Sequence, residues 1–193
     1  MPIHENMESV TLHSGFCVKS PSNPAGRWHE RWCVLSIVKI PHAEQFYQKY
    51  YKGYRDTETT GRVVTLVDHA ANLVFSYYEQ EEDVAKDKPL NRVIIDNSAI
   101  SDHHGHTHGY GFAIRIQLCA VYESRVLFLC FNDELEHGRW LKCLLYYMNL
   151  LEGTYPSVMP QLLGGTHHEA LKDKVDRFIS LEREDRGKKE RLI

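Results

Sequence analysis

The chain has 193 residues, of which 42% are hydrophobic and 25% charged, a composition typical of a globular protein with one domain and its extensions. Its formal net charge of -3 excludes a general electrostatic attraction to nucleic acid or anionic lipid, so any such binding requires a local basic patch.

The first predicted elements form a β-hairpin that follows a polar N-terminal extension, residues 1–12. Residues 15–19 (GFCVK) and 27–38 are two extended runs, and the loop SPSNPAG between them is rich in turn-forming residues. Apolar residues partly alternate in the second run, as is typical of a strand with one solvent-exposed face.

Residues 41–60 are predicted to be a helical insert. Five aromatic residues occur there at helical spacing: Phe46, Tyr47, Tyr50, Tyr51 and Tyr54. Two interpretations stay open, because these side chains could pack on the chain's own sheet or form a protein interface, where tyrosine and arginine are frequent.

Further short strands follow the insert. Runs at 62–68 and 73–79 predict a second hairpin, 91–96 and 98–100 predict short strands, and 111–118 with 125–131 predict a third hairpin. The segments 79–89 and 101–109 are predicted to be loops. Antiparallel strands with short links predict a barrel or a sandwich.

A long helix is predicted next, with Asn132 as its N-cap and Gly153 at its end. Its apolar face contains Trp140, Leu141, Leu144, Met148 and Leu151. Other apolar side chains lie off this face and need a cover, from the tail or from a partner: Leu135, Cys143, Tyr146 and Leu150. Residues 153–166 are predicted to be a linker.

Residues 167–193 are predicted to form a helical tail. Its short apolar face comprises Leu171, Val175, Phe178 and Ile179, and we expect this face to be ordered only when it is docked. These four residues, like the aromatic residues of the insert, are candidates for a protein interface.

Residues 13–152 resemble the pleckstrin-homology (PH) domain family. The resemblance rests on GFCVK (15–19), on WHERWCVL (28–35) and on Trp140 in the long helix. It implies a mostly β fold: a bent, seven-stranded antiparallel barrel capped by a C-terminal α-helix, with the insert and the tail as additions. It also implies that Trp28, Trp32 and Trp140 are structural core residues and that Trp140 plugs the barrel.

The resemblance further implies a place for phosphoinositide. Lys19, His29 and Arg31 match the positions at which lipid-binding members carry basic side chains. However, His29 is mostly neutral at pH 7 and Glu30 adds a negative charge beside it. The loop EQEEDVAKDK, expected near the same mouth, has five carboxylates and two lysines, which weakens the attraction for phosphate. Protein binding is therefore favoured over lipid binding.

Other sites are less well supported by the sequence. The histidines His103, His104, His106 and His108 could hold Zn²⁺, but no cysteine or carboxylate set completes a tetrahedral site, so no metal is expected. The motifs of common enzymes and of nucleotide binding are missing from the sequence. We therefore expect neither an enzyme nor a cofactor.

Five cysteines without a CxxC pair predict buried free thiols in a reducing compartment. The N-terminus has the character of neither a signal nor a transit peptide, so we expect an intracellular, cytoplasmic protein with a potential cytoskeletal or membrane association. The sequence thus predicts a non-catalytic scaffold or adaptor that binds protein partners, for example as a fixed subunit of a cytoskeletal assembly, and not nucleic acid. The alternative is a membrane-recruitment module that binds phosphoinositide or anionic lipid through the first hairpin.

Overall fold

The computed structural model describes residues 7–21, 25–50, 70–95, 98–118, 125–151, 173–177 and 180. In chain order its elements are β1 (Ser9–Lys19), β2 (His29–Ile40), α1 (Ala43–Tyr50), β3 (Ala70–Tyr78), α2 (Glu82–Ala85), β4 (Asn91–Ile94), β5 (Ala99–Thr107), β6 (Tyr110–Gln117), β7 (Val126–Phe131) and α3 (Glu134–Leu151). Residues 173–177 are also helical.

The strands form one antiparallel sheet in the order β4-β3-β2-β1-β7-β6-β5. The prediction of a mostly β fold with seven antiparallel strands and a C-terminal helix is confirmed. The sheet is not closed into the expected barrel, because β4 and β5 lie at its opposite edges. With only four residues, all paired with β3, β4 offers few backbone groups for a closing ladder.

The strand β1 links the two halves of the sheet. Nearly its whole length pairs with β2, whereas only Val18 and Lys19 pair with Cys130 and Leu129 of β7. The β1–β2 register is irregular between Thr11 and His13, as in a β-bulge. This irregularity determines which side chains of β1 face the helix α3.

Several predicted boundaries change in the structure. The strand β1 begins at Ser9, inside the segment predicted to be an N-terminal extension. The loop prediction for 101–109 is wrong, because β5 includes residues 99–107 and pairs with β6. The turn between them is His108–Gly109, with φ of 53° and 85°, which is the backbone of a two-residue hairpin with both central residues left-handed.

The insert and the acidic loop each contain a helix. Residues 43–50 are helical, as the aromatic spacing predicts, and residues 51–69, which include the predicted strand 62–68, lie outside the described ranges. The segment 79–89 contains the four-residue helix α2, although it was predicted to be loop throughout.

The N-cap of α3 is Asp133, and the prediction of Asn132 was wrong by one residue. The Asp133 carboxylate accepts hydrogen bonds from the backbone N–H groups of Leu135 and Glu136, both at 3.2 Å. This arrangement satisfies two backbone donors of the first turn and places a negative charge at the positive end of the helix dipole.

The main hydrophobic core lies between α3 and the inner face of the sheet, defined as the face that contacts Trp140. Trp140 is fully buried. Its ring lies edge-on to His13 at 4.7 Å and to Phe75 at 6.1 Å, and 6.3 Å from Phe131. Trp140 therefore fills the space between the helix and the sheet.

The other two tryptophans differ from the expectation of core positions. Trp28 and Trp32 are only partly buried. Trp32 pairs with Phe16 and Tyr78 across three strands, on the face opposite to Cys33 and Leu35, because successive side chains of a strand alternate. Trp28 packs at the edge of a small second cluster formed by Val18, Ala113 and Cys130.

The tail contributes to the main core at one described position. Val175 is fully buried and belongs to the same cluster as Cys143 and Tyr146 of α3. One described residue of the tail is therefore buried in the main core, while Leu135 of α3 stays 60% exposed. Leu171, Phe178 and Ile179, and the predicted linker 153–166, lie outside the described residues.

Candidate functional site

The sequence-predicted lipid residues line one pocket at the end of the first hairpin. This pocket, here called the hairpin pocket, has a volume of about 310 Å³ and is lined by Lys19, Pro21, Gly26, Arg27, His29, Arg31, Tyr77 and Leu90. Lys19 pairs with His29, and Cys17 with Arg31, across β1 and β2. Cross-strand partners share a face, so the three predicted side chains come together.

Lys19 is buried in the protein, although the resemblance to lipid-binding members places it at a ligand-binding position. It is only 7% exposed. Its ammonium group donates to the Ser20 carbonyl oxygen at 2.7 Å and lies 4.3 Å from the centre of the Tyr77 ring. A cation over an aromatic face in a desolvated site is stabilised by the ring quadrupole. A ligand that uses Lys19 would have to compete with these contacts.

Arg31 already has a carboxylate partner. Its Nη1 lies 3.4 Å from Glu79 Oε1 and donates to the Glu30 carbonyl oxygen at 3.1 Å. The Glu79 side chain is 56% exposed and that of Arg31 18%. Such a half-exposed pair is worth at most about 1 kcal/mol, so a multiply charged anion can displace Glu79.

Arg27 is a member of the hairpin pocket that the sequence reasoning missed. It is exposed and comes directly before Trp28, at the end of the hairpin loop. A basic residue that ends the loop beside two predicted basic positions was the available signal. Together with exposed His29, Arg27 forms the rim of the pocket.

A second feature lies on the outer face of the sheet, opposite to α3. The Phe16 ring is 53% exposed and meets Trp32 edge-on, with ring centres 4.8 Å apart. The two residues are directly paired across β1 and β2. An exposed aromatic pair is a candidate contact surface, because aromatic residues are enriched at protein interfaces. No local signal marks this exposed position in the sequence, because Phe16, Cys17 and Val18 are all apolar and do not alternate with polar residues.

The predicted interface in the insert contributes packing residues where it is described. Phe46 and Tyr47 are buried in the main core, with exposures of 1% and 5%. The Tyr50 hydroxyl lies 3.4 Å from Arg92 of β4. Tyr51 and Tyr54 lie outside the described residues. Phe46 and Tyr47 therefore pack on the chain's own sheet. Val175 of the tail is likewise buried.

The histidines of β5 and its turn contact aromatic rings. His108 stacks on Trp28 at 4.8 Å with an interplanar angle of 9°, and His103 lies edge-on to Phe128 at 5.2 Å. The side chains of His104 and His106 lie outside the described part of the chain. Within that part, no group of three or more His, Cys, Asp or Glu side chains could hold a metal ion.

The described cysteines are poor nucleophiles. Cys17, Cys33, Cys130 and Cys143 are free and buried, and the Sγ atoms of Cys17 and Cys33 are 2.8 Å apart. Burial raises the pKa of Cys17 well above its usual value, with a further contribution from its contact with Cys33. Burial also raises the pKa values of Cys130 and Cys143 to about 11. For Cys17, Cys130 and Cys143 the thiolate, which is the reactive form, is therefore rare at neutral pH.

Comparison with known proteins adds no further assignment. No protein-family model matches the chain, and no curated protein matches it. In the part of the chain that the structure describes, no helix is both long enough and apolar enough to cross a bilayer.

Proposed function

We propose that this chain is a non-catalytic, PH-like interaction module that binds a protein partner, and that the Phe16–Trp32 pair is the centre of the contact. The observation that supports this proposal is the exposure of Phe16, 53% on the outer face of β1. Aromatic residues are enriched at the centres of protein interfaces, and tryptophan is prominent among hot spots.

The exposed pair offers enough apolar area to anchor a contact. Aromatic side chains bury roughly 150–250 Å² when enclosed, so a Phe16 ring that is half exposed retains about 100 Å². Removing that area from water gains roughly 2.5 kcal/mol. The edge-on contact with Trp32 holds the ring in place before binding, which reduces the entropy lost when a partner packs on it.

The PH-like part of the proposal is supported by three placements. The segments GFCVK and WHERWCVL lie in the neighbouring strands β1 and β2, and the C-terminal helix buries Trp140 against the sheet. A chain of this kind could act as a fixed subunit of a larger assembly, for example a cytoskeletal one. Its non-catalytic character is proposed from the sequence, which lacks the motifs of common enzymes.

Affinity capture with the full chain tests the protein contact. Phe16→Ser removes the exposed ring, and Leu145→Ser is the matched control, because Leu145 is 39% exposed on α3. Quantitative mass spectrometry is expected to show proteins whose recovery falls at least about tenfold with Phe16→Ser and stays unchanged with Leu145→Ser. Equal recovery with both variants, each with wild-type melting behaviour, would refute the assignment.

The hairpin pocket supports a second candidate, binding of a phosphoinositide headgroup. Four basic side chains line this single pocket: Lys19, Arg27, His29 and Arg31. Phosphate recognition requires several such donors at once. The ion pair of Arg31 with Glu79 opposes it, since the ligand must first displace that carboxylate.

Vesicle flotation distinguishes the second candidate from the first. Phosphatidylcholine vesicles with and without phosphoinositide would be compared for the wild type, Arg31→Ala and Glu79→Gln. Binding is expected to weaken with Arg31→Ala, strengthen with Glu79→Gln, and stay unchanged with Lys142→Ala, which removes an exposed lysine on α3. Absence of any preference for the phosphoinositide vesicles removes this candidate.

A further inference from the structure

A second pocket of about 310 Å³ lies on the outer face of the sheet, where β1, β2 and β3 meet the segment of α2. We call it the outer pocket. Five of its lining residues carry hydroxyl groups: Ser9, Thr11, Ser36, Ser76 and Tyr78. Ser36 and Ser76 are themselves buried, at 7% and 5% exposure. Hydroxyl groups can donate hydrogen bonds to an anion or accept them from a donor.

Arg92 places a permanent positive charge in the wall of the outer pocket. Its side chain is only 9% exposed, and it interacts with Asp87, with the Tyr50 hydroxyl at 3.4 Å and with Tyr78. Burial by itself disfavours the charged guanidinium, but Tyr50, Tyr78 and Asp87 outweigh that effect and raise the pKa of Arg92 above its ordinary value. The guanidinium stays charged and requires a counterion.

The present counterion is easily replaced. The Asp87 side chain is 64% exposed, and its backbone is left-handed, with φ of 48°, two residues after the end of α2. An exposed carboxylate regains hydration when it leaves the guanidinium, so its release costs little. Arginine binds carboxylate and phosphate through the same bidentate geometry.

The rest of the outer pocket is apolar. Val34, Val38 and Val84 line it together with Met7. A volume of about 310 Å³ exceeds the needs of a bare oxyanion and lies at the lower end of small-molecule sites, roughly 300–1,000 Å³. A ligand that fills it must therefore carry an apolar body as well as a charged group.

We propose that the outer pocket binds a small organic anion, whose single phosphate or carboxylate group replaces the Asp87 carboxylate on Arg92 while its apolar body packs on the three valines. The serine, threonine and tyrosine hydroxyls of the floor donate hydrogen bonds to the anionic group. The exposed carboxylates of Glu81 and Glu82, close in sequence to the lining residue Val84, oppose an anion, although salt screens them at physiological ionic strength. The affinity of the wild type is consequently modest, and removal of the competing Asp87 charge strengthens it.

Calorimetric titration of the full chain tests the site with phenyl phosphate and benzoate as probes and with neutral phenol as the uncharged comparison. Asp87→Asn is expected to raise the affinity for the anions at least about tenfold, because it frees the guanidinium. The matched control is Asp83→Asn, which also removes one negative charge. The Asp83 carboxylate pairs with Lys86 and not with Arg92. This control is expected to change the affinity less than about twofold.

The outcomes are decisive in each direction. Tighter binding of phenyl phosphate identifies a phosphate monoester as the ligand class, and tighter binding of benzoate identifies a carboxylate. The proposal is overturned by equal effects of Asp87→Asn and Asp83→Asn, by phenol binding as tightly as the anions, or by no binding of either anion to Asp87→Asn at millimolar concentration. Phe16→Ser leaves the titration unchanged, so failure here is distinct from failure of the protein contact.

Discussion

Replacement of Trp140 by alanine tests the packing of α3 on the sheet. The indole is fully buried and contacts rings from β1, β3 and β7. An aromatic side chain buries roughly 150–250 Å², which corresponds to about 4–6 kcal/mol of transfer free energy. Measured Trp→Ala substitutions in cores cost about 3–5 kcal/mol. We expect a loss of this size, a large part of the roughly 5–15 kcal/mol by which domains are stable.

The indole N–H sharpens this prediction. Trp140 Nε1 is buried without a hydrogen-bond partner in the described part of the protein. An unpaired buried donor costs about 1–3 kcal/mol, and phenylalanine at this position has no such donor. We therefore expect Trp140→Phe to lower the free energy of unfolding by only about 1–2 kcal/mol, since the lost volume is partly offset.

Urea denaturation followed by far-UV circular dichroism measures these losses without reliance on tryptophan fluorescence. Trp32→Ala is the control, because Trp32 is only partly buried on the outer face, and we expect it to cost less than Trp140→Ala. If Trp140→Ala is no more destabilising than Trp32→Ala, or if Trp140→Phe costs as much as Trp140→Ala, the packing argument is wrong. If Trp140→Ala does not fold, the loss in free energy of unfolding is measured on Trp140→Phe instead.

Three further predictions follow from single residues. Burial lowers the pKa of His13, so the unfolded chain takes up a proton more readily than the folded chain, and His13 destabilises the fold as pH falls below about 6.5. The melting temperature should therefore fall less steeply between pH 7.5 and 5 for His13→Gln than for the wild type. Equal slopes for the two proteins would refute this. Cys143, with a pKa of about 11, should resist iodoacetamide in the native protein and react after denaturation, as followed by peptide mass spectrometry; rapid native labelling would contradict its burial. Asp133→Ala should lower the free energy of unfolding by about 1 kcal/mol through loss of the N-cap. Glu134→Ala should lower it by less. Equal losses for the two variants in urea titrations would argue against the cap.

The local signals of the sequence predicted several elements well. Alternation in the second run marked β2, the aromatic spacing marked α1, and the apolar face around Trp140 marked α3. These patterns are local, because a strand repeats every two residues and a helix every 3.6, so each can be read before the fold is known.

The strand β5 escaped prediction for a physical reason. Within the described ranges it lies at an edge of the sheet and has β6 as its one pairing partner. An edge strand does not need the apolar alternation of a central strand, and its histidines and glycine resemble a loop. The N-cap error has a similar origin, since both Asn132 and Asp133 are good capping residues and only the hydrogen-bond geometry distinguishes them.

The sequence by itself determined the class of this protein: antiparallel strands followed by one amphipathic helix with a tryptophan at its centre. Only the tertiary structure decided which side chains face water and which form sites. The face of a β1 residue depends on the register irregularity between Thr11 and His13, and a slip of one residue moves every side chain to the other face. Exposure of Phe16, burial of Lys19 and the pairing of Arg92 with Asp87 all depend on contacts between segments distant in sequence, which no local pattern encodes.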